Sequence, residues 1–230
     1  MSIKVKYLGH SSFIISINGK NILTDPYFSN EKVCNYKRLI GCSEKITTIP
    51  KIDVVLISHE HYDSCDIDAA NYLVKKYDSK IIAHQSILNK LEKSQRNNLI
   101  SIDEYQTTLI QDIKYTAHPA HHPTSFYPLS YLLNYKEQNI YFAGDTNLTN
   151  EHDNIKADLA FLPIGGRYTM DIGSAVQAVK KIKPKVVIPM QYNTFEDIKV
   201  NINQFTEKLS NLRFPINPVI LAPGKCFSFK

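Results

Sequence analysis

Four short apolar runs, each stopping on a polar residue, constrain this fold more than any other feature. DVVLISH spans 53–59, NIYFAGD 139–145, ADLAFLPIGG 157–166 and KVVIPMQ 185–191. Runs this apolar and this short suit strands buried on both faces, which requires layers covering both sides of a sheet. Helical patterns lie between them. IDAANYLVKKY (67–77) and GSAVQAVKKIK (173–183) place apolar residues three and four apart, and Pro184 closes the second. The N-terminus alternates instead. Ile3, Val5 and Tyr7 share one strand face, and Phe13, Ile15 and Ile17 share another. NGKN (18–21) carries the Asn-Gly chemistry of a hairpin turn, so two or three antiparallel strands are expected over the first 25 residues. Stretches 106–117 and 129–143 read as further strands, with YKEQN (135–139) as a turn. The pattern predicts an α/β protein of two packed sheets flanked by helices. No linker or repeat divides the 230 residues, so a single domain over 1–230 is expected.

Composition narrows the function classes. The chain is 43% hydrophobic and 21% charged, the balance of a globular protein with a proper core. Its net charge of +5 is spread over Lys and Arg interleaved with Asp and Glu, so no nucleic-acid partner is expected. No apolar run approaches the roughly 18–20 residues of a membrane span, and no membrane partner is expected. MSIKVKYLGH lacks the apolar core of a secretory signal, which favours a cytoplasmic location. Cys34, Cys42, Cys65 and Cys226 form no C-x-x-C pair and read as reduced thiols, with Cys65 filling an apolar position under its loop. Nothing here sets an oligomeric state.

The strand exits concentrate metal-type side chains. DVVLIS leads into His59, His61 and Asp63. A strand ending near Thr116 leads into His118, His121 and His122. NIYFAG leads into Asp145, and VVIPM into Gln191. Five of the eight histidines thus fall in two short segments. Ligands in open α/β sheets sit beyond strand carboxyl ends. Imidazoles with carboxylates suit zinc, iron or manganese.

At these residues the sequence resembles the metallo-β-lactamase superfamily, whose motif is H-x-H-x-D-H, then a distant His, a strand-terminal Asp and a final His. The resemblance covers nearly the whole chain through YLGHSSFIIS (7–16), ILTDPYF (22–28), SHEHYD (58–63), PAHH (119–122), YFAGDTNL (141–148), LPIGGRYTM (162–170) and PKVVIPMQYNTF (184–195). It is nearest to metal-dependent hydrolases grouped with ascorbate-6-phosphate lactonase-like proteins, and more distantly resembles N-acylphosphatidylethanolamine phospholipase D. It implies a four-layer αββα sandwich with the metal site at the seam of the sheets. It assigns His59, His61 and His122 to a first metal, with His121 at a variable position. Asp63 takes the place of the motif carboxylate, and Asp145 of the bridging one.

Two positions depart from the family pattern. Ser64 stands for a second-site histidine and Gln191 for the final one. Both losses fall on the same metal. Three imidazoles and an open water position are the arrangement of a catalytic zinc. The second site keeps only hard oxygen and amide donors, so a second ion is expected to be weak or absent. One zinc is expected, with Mn, Fe or Mg as substitutes. The implied activity is hydrolysis of an ester, lactone, amide or phosphodiester in a small-molecule substrate by a metal-bound hydroxide. Asp63 and Asp145 would be the catalytic carboxylates. The alternative is a non-catalytic member that binds metal or a small ligand. His10 and Asp25 are candidates beside the site, and Arg167 and Tyr168 for an anionic substrate. His84 and His118 read as structural, and His152 carries no assignment.

Overall fold

The computed structural model describes residues 2–29 and 37–229; Cys34 lies outside them. The chain divides into two compact units. The first comprises Met1–Ile102, Ser125–Tyr127 and Leu221–Lys230, and the second Asp103–Thr124 and Pro128–Ile220.

The first unit is built on a seven-stranded mixed sheet. Its strands are β1 (Ile3–Gly9), β2 (Ser12–Ile17), β3 (Lys20–Thr24), β4 (Val54–Leu56), β5 (Lys80–Ala83), β6 (Leu99–Ser101) and β14 (Cys226–Phe229). Their order is β14-β1-β2-β3-β4-β5-β6, antiparallel from β14 to β3 and parallel onward. The β2–β3 hairpin turns on Asn18 and Gly19, both at positive φ (50° and 76°), as the NGKN signal requires. Helix α1 (Ile67–Tyr77) has the predicted bounds. Asp66 caps it by accepting from the Ala69 amide at 3.0 Å, and Asp78 ends it in the left-handed region. Ala69, Ala70, Leu73 and Val74 are its buried residues. Ala70, Leu73 and Val74 join Leu23, Val55, Ile57 and Ile81 in one core. Cys65 lies in that core, and burial pushes its thiol up to about 12. A short helix, α2 (Gln85–Leu88), follows β5.

The second unit holds another seven-stranded mixed sheet. It contains β7 (Thr107–Ile110), β8 (Ile113–Pro119), β9 (Leu129–Tyr135), β10 (Gln138–Phe142), β11 (Leu159–Pro163), β12 (Val186–Met190) and β13 (Asn217–Pro218). Their order is β13-β12-β11-β10-β9-β8-β7, antiparallel from β7 to β10 and parallel from β10 to β13. Every residue of β11 and β12 is buried, as the apolar runs anticipate. Strand β8 continues through His118 to Pro119, past the expected end near Thr116, because His118 and Pro119 stay in register with Ser130 and Leu129. Helix α3 (Ile172–Ile182) begins at an Asp171 cap and ends at Lys183 in the left-handed region, just before Pro184. It packs against α4 (Ile202–Ser210). No helix among the described residues is long and apolar enough to cross a membrane, and no disulfide forms among the described cysteines.

Candidate metal centre

In the first unit, β4 delivers its exit loop with fixed geometry. The Ile57 amide still bonds the Ile82 carbonyl at 3.1 Å, so the chain leaves the sheet at Ser58. The loop then closes tightly. The Ser64 and Cys65 amides both donate to the His61 carbonyl, at 3.0 and 2.8 Å, and Asp66 starts α1. His59 and His61 are thereby brought together, with ring centroids 4.7 Å apart at 82°.

A buried polar chain stands behind His59. Asp25 accepts from the Ser58 amide at 2.7 Å and from Ser58 Oγ at 2.6 Å, and Ser58 Oγ lies 2.9 Å from His59 Nδ1. When Asp25 is ionised, Ser58 gives it the one hydroxyl proton, and the bond with His59 then uses the Nδ1 proton and turns the Nε2 lone pair outward, the tautomer a metal needs. Burial pushes the Asp25 carboxyl up to about 8, the Ser58 bonds only partly offsetting it. Ser64 is also buried.

Asp63 is set by His10, which holds a left-handed φ of 60° at the β1–β2 connection. His10 Nε2 lies 3.3 Å from Asp63 Oδ2, and the His10 ring meets the Tyr27 ring edge-on at 5.8 Å. Burial works against charge on Asp63, but the close approach of His10, then that of His59, outweighs it and holds its carboxyl down to about 2. Asp63 is thus a carboxylate at neutral pH.

The second unit assembles His122, Asp145 and Gln191, all buried. His122 Nδ1 donates to the Tyr168 carbonyl at 3.1 Å, which again leaves the lone pair on Nε2. That Nε2 lies 3.8 Å from Asp145 Oδ2 and 3.3 Å from Thr124 Oγ1. His121 is exposed, its amide on Thr146 Oγ1 at 2.9 Å and its Nδ1 3.4 Å from Asn147 Nδ2. Gln191 sits at φ 52°, and its Nε2 donates to Asp145 Oδ2. Gly165 is required beside it, since a Cβ there would overlap the Gln191 carbonyl and press on Ile198.

Arg167 pairs with Asp197 at 3.1 Å, and the Tyr168 hydroxyl reaches the same carboxylate at 3.4 Å. Tyr168 thus meets His122 through its carbonyl, while its side chain points to Asp197. The remaining histidines cap or brace. His84 is the cap of α2, and His152 closes a capping box with Thr149. His118 Nδ1 bonds Glu151 Oε1 at 2.9 Å, with Asn154 at 3.0 Å and Tyr105 at 3.2 Å on Oε2. Burial raises the Glu151 carboxyl, but these partners outweigh it and hold it below its ordinary range. A depressed carboxyl adds stability above its unfolded pKa, and that stability is lost as pH falls through the folded value. Glu151→Gln is therefore expected to lower stability by about 1–2 kcal/mol at pH 7. The gap to wild type should close as pH falls below about 4, read by urea unfolding across pH.

Sequence reasoning missed Ser58, the Tyr168 carbonyl, Thr146 and Glu60. Ser58 had a weak signal, being the residue before the first histidine. Glu60 and Thr146 also adjoin ligand positions in sequence, but what they bond, like the use of the Tyr168 carbonyl, is set by contacts with distant parts of the chain.

The donor chemistry of each half fits a divalent metal: imidazoles whose Nδ1 protons are engaged, and ionised or bonded carboxylates. The comparisons agree. The family model described as the β-lactamase superfamily domain matches residues 4–191. A UPF0173 metal-dependent hydrolase of Staphylothermus marinus is 35% identical over 98% of both chains. One of Caldivirga maquilingensis is 31% identical over 96% of this chain and 95% of its own. A solved metallo hydrolase of Ignicoccus hospitalis superposes with a TM-score of 0.84 at 27% identity, covering 100% of this chain and 99% of its own. Two mixed sheets, their helices and this likeness define the α/β sandwich class. The chain belongs to the metallo-β-lactamase superfamily and, within it, to the UPF0173 metal-dependent hydrolases.

Proposed function

We propose that the chain is a one-metal hydrolase of a small-molecule ester, lactone, amide or phosphodiester, working in the cytoplasm with both units acting as one domain. His59, His61 and His122 hold the ion, zinc first and Mn, Fe or Mg as substitutes. When bound, the metal supplies the Lewis acidity that makes water a nucleophile at neutral pH and stabilises the developing oxyanion. The protein supplies the rest. Ser58 and the Tyr168 carbonyl hold two ligand imidazoles in the Nε2-binding tautomer. Asp63, kept ionised and oriented by His10, takes the proton from the nucleophile.

The observation that carries the one-metal reading is the bond from Gln191 Nε2 to Asp145 Oδ2. An N–H donor thus occupies one of the two Asp145 carboxylate oxygens, in place of the imidazole that would help hold a second cation. The same bond also favours a second reading, a non-catalytic binder, because it withdraws part of Asp145 from chemistry. A panel of activated esters, lactones and bis-p-nitrophenyl phosphate separates the two. The hydrolase is expected to turn over at least one of them with Zn²⁺ or Mn²⁺, to lose that activity to a chelator and to regain it on metal return. No turnover across the panel by metal-loaded protein would leave the binder.

A further inference from the structure

The segment 125–127 is part of the first unit although its neighbours in sequence belong to the second. Two anchors hold it. Glu60, the residue between His59 and His61, accepts from Ser125 Oγ on one oxygen and from the Phe126 amide on the other, each at 2.8 Å. Hydrogen bonds to a charged carboxylate are the strong kind, and both oxygens of Glu60 are engaged on this one segment. Tyr127 stacks on His84 with ring centroids 4.0 Å apart at 16°. His84 is itself held, its Nδ1 lying 2.8 Å from Ser86 Oγ as it caps α2.

Between these anchors Phe126 is 77% exposed, the most exposed large apolar side chain among the described residues, with its ring 6.3 Å from His84. A single exposed apolar residue is ordinary on a surface. Phe126 differs because its backbone is clamped by the residue between two ligand histidines. Its amide bonds the Glu60 side chain, so its aromatic surface starts within about one side chain's reach of the His59–His61 loop.

We propose that Phe126, backed by Tyr127 and His84, is the platform for an apolar, preferably aromatic, part of the substrate, and that Glu60 is the positioning residue that holds it. The substrate is then one that carries an aryl or extended alkyl group near the bond cleaved, not a small wholly polar metabolite. This rests on the hydrolase reading for the identity of the ligand as substrate.

The test is calorimetric binding of 4-phenylbutyrate and butyrate to the full, metal-loaded chain. Both probes carry the same carboxylate and differ in the ring. Wild type is expected to bind 4-phenylbutyrate about tenfold tighter or better. Phe126→Ala should abolish the preference, Phe126→Tyr should keep it, and Glu60→Gln should weaken it. Equal affinities in wild type, no binding of 4-phenylbutyrate, or an undiminished preference in Phe126→Ala overturns the platform. The measurement needs no turnover. A chain that prefers the aryl probe yet hydrolyses nothing would fail the hydrolase reading and leave the platform standing.

Discussion

His59→Ala is expected to lose its bound metal and, with it, essentially all turnover. His59 is fully buried, and its Nδ1 is committed to the Ser58–Asp25 chain. Loss of a partner behind a ligand costs about 10–100-fold in metal affinity, and loss of the ligand itself should cost more. Activity should fall by about three orders of magnitude or more, as when a main electrostatic stabiliser is removed. Ser58→Ala should reproduce only the smaller loss in affinity, because the imidazole remains but its tautomer is no longer held. Metal content by elemental analysis and rates on the best panel substrate read both variants. Thermal unfolding checks that His59→Ala still folds. Full metal content and activity in His59→Ala would remove this residue from the centre.

The double substitution Ser64→His with Gln191→His is expected to raise the bound zinc from one per chain to two. Each change alone should leave it at one. Gln191→His removes the amide donor from Asp145 and offers an imidazole in its place. The backbone there has φ 52°, a conformation in which histidine is more common than most residues. Ser64→His is the harder change. Ser64 is fully buried, and enlarging a packed site costs about 1–3 kcal/mol. The double variant should therefore melt lower without metal and recover when zinc is added, since ligand binding to the native state adds stability. Two tightly held zinc ions in the wild type would end the one-metal reading, whatever the variants do.

Much of the fold was legible because its signals are local. Asn18-Gly19 sets its own turn, and the spacing of Ala69, Ala70, Leu73 and Val74 marks the buried face of α1. Less legible were elements that depend on distant partners. β14 is four residues whose place is decided by pairing with β1 across the length of the chain. α4 buries only Phe205 and Leu209, too few to mark a periodic apolar face. The extension of β8 through His118 follows from its register with β9, which no local pattern displays.

The donor inventory and the class could be read from the order of residues alone. Histidine and aspartate at strand exits, with Ser64 and Gln191 in place of two family histidines, are matters of residue identity and spacing. What each donor is prepared to do is set by folding. His10 holds Asp63 ionised, Ser58 and the Tyr168 carbonyl choose the imidazole tautomers, and Gln191 turns its amide proton onto Asp145. It also attached residues 125–127 to Glu60, more than sixty positions earlier in the chain. The difference is one of range. Strand and helix patterns are encoded over a few residues. Protonation and orientation are set by burial and by hydrogen bonds of about 3 Å, and folding alone decides which distant groups come that close.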